Sequence, residues 1–467
     1  MAVDPRLPVL AGWGVVVDRD GTTGAVDLME AATRRALEDA PALGPAVDLV
    51  LVPQGTWRTS DPGRLIAERL GATARTVVAE LGVLQQTLLT RAARDVAEGR
   101  ADVVLVVGGE ARAPSAGGPP PDASSADPPD EVLRPAGDII TRLEIERGLA
   151  VPAAQYALVD GALAAAEGDD GTALRRRLGE LWSGFSAVAA ANPSAWDRTP
   201  HTAAEIATPG PGNRMIATPY TKLLCSQWNV SSAAALVVCA AGAARRLGAG
   251  PDGWVFPVSA AEANAMVPLT ARRDLHRSPG FALAGAEALA LAGTTVEDVD
   301  HLDLYSCFPA AVRVQARALG VDGDRPLTVT GGMTFAGGPL NNYVLQSTAA
   351  MADRIRGGSG TTGLVTAVSG MLTKQAVAVW GSDPPGAFRS AEVGDEARAT
   401  TATLPVVDEA SGAGRVAGWT VLHERGTPTV AVAVVDLATG ERTVATGEPT
   451  TELEVGETVR VEGQSLR

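Results

Sequence analysis

The sequence predicts an α/β fold in two successive halves, with a helical insertion in the first half and a small all-β domain at the end. Short apolar runs alternate with amphipathic helical stretches, as in parallel sheets covered by helices. After residue 385 the helical pattern gives way to alternating strand patterns. The chain has 467 residues, 46% of them hydrophobic, which is enough for two or more packed cores.

The first half covers residues 1–112 and, after the insertion, residues 213–250. Its strand and helix patterns alternate in the order that is typical of a parallel sheet. Strands are predicted over residues 8–15, 47–52, 76–81, 101–107 and 233–239, and helices over 61–70 and 83–98.

The insertion, residues 113–212, begins with a segment rich in proline, serine, glycine and aspartate. Such a composition buries too little apolar area to order itself, so residues 113–135 are predicted to be a mobile loop. Amphipathic helical patterns follow over 151–166 and 172–181, and a proline–glycine break over 209–212 ends the insertion.

The second half covers residues 251–385. Strands are predicted over 254–258, 301–305, 363–368 and 375–380, and helices over 280–291, 309–319 and 343–355. The segments 101–109 and 363–370 are both apolar strands that end in glycine, which indicates an internal duplication. The C-terminal domain, residues 386–467, has strand patterns over 414–424, 429–435, 442–446 and 458–461.

Composition excludes several classes of function. The net charge of −15 disfavours a nucleic-acid partner, because such binding needs clustered cations. Three scattered cysteines are too few for a disulfide framework or a zinc knuckle, so no metal is expected. The N-terminus lacks a basic leader, and no apolar run reaches ~18 residues, so we expect a cytoplasmic protein without a membrane span.

The segment from Gly331 to Tyr343 has the shape of an active-site loop. Its two glycine pairs, the second being Gly337 and Gly338, allow close approach to a ligand or simply tight turns. Asn341 and Asn342 precede a predicted helix, so one of them is expected to cap it, with recognition of a substrate carbonyl as the alternative.

Several motifs together resemble the thiolase superfamily, over residues 5–385. They are Gly108-Gly109-Glu110 before the insertion, Pro219-Tyr220-Thr221-Lys222, the loop 331–339, and Asp303-Leu304-Tyr305-Ser306-Cys307-Phe308-Pro309. With the added C-terminal domain, the chain is similar to sterol-carrier-type thiolases and to actinobacterial thiolase-like proteins of type 1. The resemblance implies two βαβαβαββ halves in five α-β-α-β-α layers, an OB-like C-terminal domain, and an acyltransferase of acetyl-CoA acetyltransferase type.

The same resemblance shows which catalytic groups this chain lacks. The nucleophilic cysteine of thiolases would stand at the start of the helix after strand 76–81, where this chain has Gly82. The histidine of the Gly-His loop falls at Gly338, and the distal cysteine motif aligns with the segment that includes Ser369. Because a covalent nucleophile and an oxyanion donor are missing, thiolysis of acetoacetyl-CoA is predicted to be negligible.

Three candidate catalytic residues remain. Cys307 lies before a helix and serves either in proton transfer or as a small buried filler. Tyr305 and Tyr343 are either core residues or phenols that face the substrate. In thiolases the insertion contacts coenzyme A, so Lys222 is either a phosphate ligand or a solvated charge.

Different functions stay open at this stage. The chain is a carrier or scaffold that binds an acyl-CoA or related thioester, with no covalently bound cofactor. Alternatively it is an acyltransferase acting through Cys307, or a retro-aldol lyase that uses tyrosine acid/base groups on a β-hydroxyacyl-CoA, or a purely structural module with a sealed pocket. The resemblance allows a homodimer through strand 76–81, or a partner thiolase or OB-type subunit.

Overall fold

The computed structural model describes residues 3–113, 127–322 and 325–467. The first half contains β1 (Pro8–Val17), α1 (Ala25–Ala36), β2 (Leu49–Pro53), α2 (Pro62–Leu70), β3 (Arg75–Ala79), α3 (Gln85–Ala97) and β4 (Val103–Ala111). The insertion contains β5 (Glu131–Leu133), α4 (Arg142–Glu146), α5 (Pro152–Glu167), α6 (Gly171–Ala191) and α7 (Ala203–Ala207), and it is followed by β6 (Met215–Ala217) and β7 (Tyr220–Thr221). The chain then returns through β8 (Ser231–Ala240) and α8 (Ala241–Arg246).

The second half contains β9 (Phe256–Asn264), α9 (Pro279–Ala292), β10 (His301–Asp303), α10 (Pro309–Leu319), α11 (Gly332–Phe335), α12 (Tyr343–Arg356), β11 (Thr362–Ser369), β12 (Lys374–Gly381) and β13 (Arg389–Glu392). The C-terminal region contains α13 (Gly394–Thr400), β14 (Ala410–Glu424), β15 (Thr427–Leu437), β16 (Arg442–Gly447), β17 (Thr458–Gly463) and β18 (Ser465–Leu466). Short 3₁₀ helices lie at Pro41–Leu43, Lys222–Leu224, Pro251–Gly253 and Leu269–Ala271.

Two mixed sheets form the centre of the molecule. The strand order is β1-β8-β4-β2-β3-β5 in the first sheet and β10-β11-β12-β9-β13 in the second. Helix α3 contacts β4 and β8 on one side and β9, β11 and β12 on the other, so it lies between the sheets together with α12. Helix α1 covers the outer face of the first sheet and α9 that of the second, which gives the expected five layers.

The start of the insertion corrects one prediction. Residues 114–126 of the predicted mobile segment lie outside the described residues, but Glu131–Leu133 forms strand β5. Val77, Val78 and Ala79 of β3 pair with it in parallel register. The prediction of a mobile loop is therefore wrong for these three residues, and β3 is an interior strand of its sheet.

The C-terminal strands close into a small barrel. Strand β14 pairs with β15 on one side and β17 on the other, and β16 and β18 complete the ring. Ala217 of β6 also pairs with Leu422 of β14, so a hairpin that follows the insertion extends the barrel sheet. At the other boundary β13, predicted to belong to the C-terminal domain, pairs with β9 in the second sheet.

Candidate functional site

A cavity of about 1060 Å³ lies where the two halves meet the insertion. Its wall combines the start of α3, the loop before α12, the β10–α10 turn and the β11–β12 turn. The predicted site residues that line it are Gly82, Lys222, Tyr305, Cys307, Gly338, Asn341 and Ser369. Gly337, Asn342 and Tyr343 are not among its lining residues. The structure therefore brings together seven of these residues, drawn from distant parts of the sequence.

Gly82 stands where the resemblance to thiolases places the nucleophilic cysteine, and Lys374 lies beside it. Gly82 has φ 101°, a left-handed conformation that disfavours any side chain. A Cβ placed on it would lie 3.2 Å from Pro135 Cβ and 3.6 Å from Lys374 Nζ. Lys374 Nζ donates a hydrogen bond to the Gly82 carbonyl oxygen at 2.6 Å. Lys374 thus lies beside the position at which thiolases carry the nucleophilic cysteine. No motif in the sequence identifies Lys374 as a site residue.

The position of the absent histidine is filled in a similar way. A Cβ on Gly338 would collide with Ser226 Oγ and would lie 3.1 Å from Met333 Cβ. Backbone hydrogen bonds hold the two segments close together, because Ser226 N–H donates to the Cys307 carbonyl and Gly338 N–H donates to the Gln227 carbonyl. Ser226 also lines the cavity. A hydroxyl group therefore occupies the space that a larger side chain at position 338 would need.

Cys307 has two tyrosines as neighbours in the cavity wall. The Tyr156 side chain lies close enough to the Cys307 thiol for each group to affect the pKa of the other, and the ring of Tyr156 stacks on Phe308 with centroids 4.9 Å apart. Burial raises the pKa of the Cys307 thiol to about 12, and it raises the pKa of both Tyr156 and Tyr305. At neutral pH all three groups are protonated, so each is suited to donate a proton rather than to attack a carbonyl.

Tyr343 belongs to a buried polar network behind the cavity wall. Its hydroxyl donates to Asp303 Oδ1 at 3.0 Å and lies 2.6 Å from Thr330 Oγ1. Ser347 Oγ also donates to Asp303, at 2.7 Å. Burial raises the pKa of Asp303 and of Tyr343. The ring of Tyr343 meets that of Tyr305 edge-on at 5.7 Å, so Tyr343 supports a cavity residue from behind.

The two asparagines before α12 do not cap it. Asn342 occupies the N-cap position without a side-chain bond, and its buried amide has no partner among the described residues. Asn341 has φ 57° and donates to the Gln54 carbonyl oxygen at 3.1 Å. Gln85 Oε1 accepts from the Val344 N–H at 2.7 Å instead. The predicted asparagine cap is wrong, because a glutamine from the start of α3 bonds the first turn of α12.

The glycine pairs serve packing as much as ligand approach. Gly331 and Gly332 have φ 98° and 75°, and a Cβ on either would collide with Ala189 or Phe185 of helix α6. Gly337, with φ 97°, meets Trp196 in the same way at 3.2 Å. These three glycines therefore bring the loop close to the insertion, and Gly338 alone of the four lines the cavity.

The cavity mouth carries cations and an exposed aromatic ring. Arg19, Arg214 and Lys222 line it, and Arg214 and Lys222 have no carboxylate within 4.0 Å in the described parts of the chain. Trp228, 48% exposed, lies beneath the Arg112 guanidinium, whose centre is 4.2 Å from the ring centroid. This combination suits a ligand that carries both phosphates and an aromatic base.

Among the described residues, candidate metal sites and membrane-spanning helices are both absent. Within them, no three His, Cys, Asp or Glu side chains are grouped closely enough to hold a metal ion. None of the helices in residues 3–113, 127–322 and 325–467 has the length and apolar character that crossing a bilayer requires.

Comparison with solved structures matches the chain over its whole length to a monomeric SCP2-thiolase-like protein type 1 from Mycobacterium smegmatis. The TM-score is 0.84 at 28% sequence identity, covering 100% of this chain and 99% of that chain. This chain belongs to the thiolase superfamily. The predicted thiolase fold with an additional C-terminal β-domain is thereby confirmed for this thiolase-like protein.

Other relatives of the thiolase-like protein are more distant. The Ltp2-ChsH2(DUF35) aldolase matches with a TM-score of 0.63 at 21% identity, covering 81% of this chain and 98% of that chain. An acetyl-CoA acetyltransferase from Syntrophomonas wolfei matches with a TM-score of 0.57 at 18% identity, covering 80% and 99%. At these identities the likeness shows the fold alone.

Among curated proteins, an acetyl-CoA acetyltransferase from Methanothermobacter thermautotrophicus is 28% identical over 174 residues. The match covers 34% of this chain and 44% of that protein, so the thiolase-like protein spans less than half of the curated relative it matches. No family model matches the chain.

Proposed function

We propose that the thiolase-like protein binds an acyl-CoA or a related thioester without catalysing thiolysis. The observation that carries the proposal is the cavity wall at Gly82, where a glycine with a left-handed backbone stands in place of the nucleophile and Lys374 hydrogen-bonds to its carbonyl oxygen. The crowding of Gly338 by Ser226 supports it, because the oxyanion-binding histidine of a thiolase has no room there.

The cavity suits coenzyme A in size and chemistry. Its volume of about 1060 Å³ is just above the range usual for small-molecule sites. Lys222 and Arg214 offer cations for phosphates, and Trp228 offers a ring face for adenine. The solved structure of human mitochondrial 3-ketoacyl-CoA thiolase in complex with CoA has the same fold, with a TM-score of 0.61 at 15% identity.

Calorimetry with coenzyme A, acetyl-CoA and a long-chain acyl-CoA tests the binding claim. We expect heat of binding with at least one thioester, weakened in a Lys222→Met variant. Absence of heat with every ligand would remove the claim. Mass spectrometry during incubation with acetoacetyl-CoA tests the missing chemistry, and a thioester adduct on any residue would overturn the non-thiolytic part.

A retro-aldol lyase is the second candidate, favoured by the phenols of Tyr156 and Tyr305 beside the Cys307 thiol. Such an enzyme needs proton donors and acceptors near the substrate rather than a covalent nucleophile. The fold likeness to the Ltp2-ChsH2(DUF35) aldolase is compatible with this chemistry. An acyltransferase acting through Cys307 is disfavoured, because a thiol with a pKa of about 12 is a poor nucleophile at neutral pH.

The lyase proposal is tested with a β-hydroxyacyl-CoA. We expect aldehyde or ketone release to fall in Tyr305→Phe, Tyr156→Phe and Cys307→Ala variants, and also in Tyr343→Phe through loss of support for Tyr305. Release that persists unchanged in all four variants would eliminate these roles. The cytoplasmic location, the absence of a nucleic-acid partner and the identity of any protein partner stay predictions.

A further inference from the structure

Lys374 is a cation buried without a counter-charge. It lies at the first position of β12 and is only 2% exposed. No carboxylate in the described parts of the chain lies within 4.0 Å of its Nζ atom, and the Gly82 carbonyl is its one hydrogen-bond acceptor there. An ammonium group has three donors, so two of them have no partner. Burying such a group costs free energy unless an anion pairs with it.

The start of helix α3 faces the same place. This helix has 13 residues, and its N-cap residue, Leu84, provides no side-chain acceptor for the first N–H groups. Gly82, Val83, Leu84 and Gln85 all line the cavity. The first turn of a helix carries unpaired N–H groups and a partial positive charge, which favour an anion.

Both features lie next to Gly82. In a thiolase this position holds a sulfur that becomes anionic, whereas here it holds only a hydrogen atom. The buried ammonium group and the start of the helix therefore favour a negative charge at a position whose own residue supplies none. Burial also lowers the pKa of Lys374, so an anion beside it would stabilise its protonated form.

We propose that Lys374 and the start of α3 recognise a carboxylate on the acyl group of the bound thioester, so that the preferred ligands are thioesters of dicarboxylic acids. This inference rests on the proposed thioester binding and specifies its substrate class. The acyl carboxylate would take the space next to Gly82 and pair with the unused donors of Lys374. Thioesters that end in a methyl group would leave the buried ammonium unpaired.

Calorimetry with succinyl-CoA and butyryl-CoA tests the proposal, because the two acyl groups have the same length and differ in the terminal carboxylate. Wild-type protein should bind succinyl-CoA at least about tenfold more tightly, as expected for a charge-assisted hydrogen bond. Malonyl-CoA and propionyl-CoA form a second matched pair of shorter length. Equal affinities within both pairs would overturn the inference while leaving thioester binding intact.

Variants of the chain's two lysines separate the preference for a carboxylate from the overall affinity for CoA thioesters. Lys374→Met should abolish the preference for the carboxylate, so that succinyl-CoA and butyryl-CoA bind with affinities within about twofold of each other. Lys222→Met should weaken all four thioesters alike and keep the preference. A preference that survives in Lys374→Met would overturn the assignment.

A ligand comparison keeps the test independent of how well Lys374→Met folds. Succinamyl-CoA replaces the terminal carboxylate by a neutral amide of the same shape. With wild-type protein we expect its affinity to fall to that of butyryl-CoA, and an affinity equal to that of succinyl-CoA would contradict a charge-based site. If no CoA thioester binds at all, the proposed function itself fails, which is a distinct outcome.

Discussion

The side chains of Tyr156 and Cys307 lie next to each other in the wall of the cavity, where the tyrosine lowers the pKa of the thiol against the larger opposing effect of burial. One residue comes from helix α5 of the insertion and the other from the turn before α10. The contact joins the insertion to the second half in the wall of the cavity. The protonation state of the Cys307 thiol can be tested through its rate of alkylation.

We predict that Cys307 is unreactive in the folded protein. Burial raises its pKa to about 12, as it does for Cys225 and Cys239, so the thiolate fraction at pH 8 is very small. Labelling with iodoacetamide should be about 1,000-fold slower than in the unfolded chain. Peptide mass spectrometry gives the rate for each cysteine, with urea-unfolded protein as the reference. Rapid labelling of Cys307 would show that it is an activated thiolate.

We predict that Gly82→Cys does not restore thiolysis. The left-handed backbone costs about 1–3 kcal/mol for a residue with a side chain, and the new Cβ would press on Pro135. The melting temperature should fall, and acetoacetyl-CoA cleavage should stay at background. Gly71→Ala is the matched control, because Gly71 has φ 70° but no heavy atom within 4 Å of an added Cβ. Turnover by Gly82→Cys would mean that the site is otherwise intact.

We predict a monomer of 47.6 kDa in sedimentation experiments. The edge of β3, through which the resemblance to thiolases allows a homodimer, is occupied by β5 of the same chain. Arg91 holds Glu131 of β5 through two hydrogen bonds of 2.5 and 2.8 Å. Val132→Pro should weaken β5 and cause concentration-dependent association, whereas Val132→Thr should not. A stable wild-type dimer would contradict this prediction.

We predict that Glu262 makes stability fall as the pH rises. Burial raises the pKa of this carboxyl group from 4.5 to about 7, and its Oε1 atom has no hydrogen-bond partner among the described residues. The folded state therefore binds a proton that the unfolded state releases. The resulting stabilisation is complete below the unfolded pKa and is lost as the pH rises through about 7, up to about 3 kcal/mol.

Urea unfolding of wild type and Glu262→Gln between pH 4 and pH 8 measures this effect. The neutral variant should lack the decline, so its stability relative to wild type should grow with pH. Glu38→Gln, at an exposed position, is the control and should follow wild type. Parallel pH profiles for all three proteins would refute a titrating Glu262.

The sequence predicts the layered fold well because its signal is periodic and local. The patterns of β2, β4, α9 and α10 each exceed the length of a turn and have a clear apolar character. Strand β5 escapes prediction for the opposite reason, since it has three half-buried residues between proline-rich segments. Its order comes from pairing with β3 rather than from its own composition.

The site residues likewise include some that a local sequence motif identifies and others that only the folded structure brings together. Gly82, Gly338 and Cys307 stand in motifs, so position alone identifies them. Lys374 resembles a solvated charge in the sequence, although its rarity in a chain with two lysines was a usable signal. Contacts such as Tyr156 to Cys307, or Gln85 to Val344, join segments far apart in the chain, and no local pattern encodes them.

The pairing of Ala217 with Leu422 has a consequence for how this protein can be divided. Helix α5 also packs on β14, and the Arg442 guanidinium donates to the carbonyl oxygen of Arg273 at 3.0 Å. A chain truncated after residue 385 would expose the edge of the β6–β7 hairpin and the face of α5 that packs on β14. The C-terminal barrel is therefore packed into the rest of the chain and is not an independent domain. The barrel and the two α/β halves have to be expressed together.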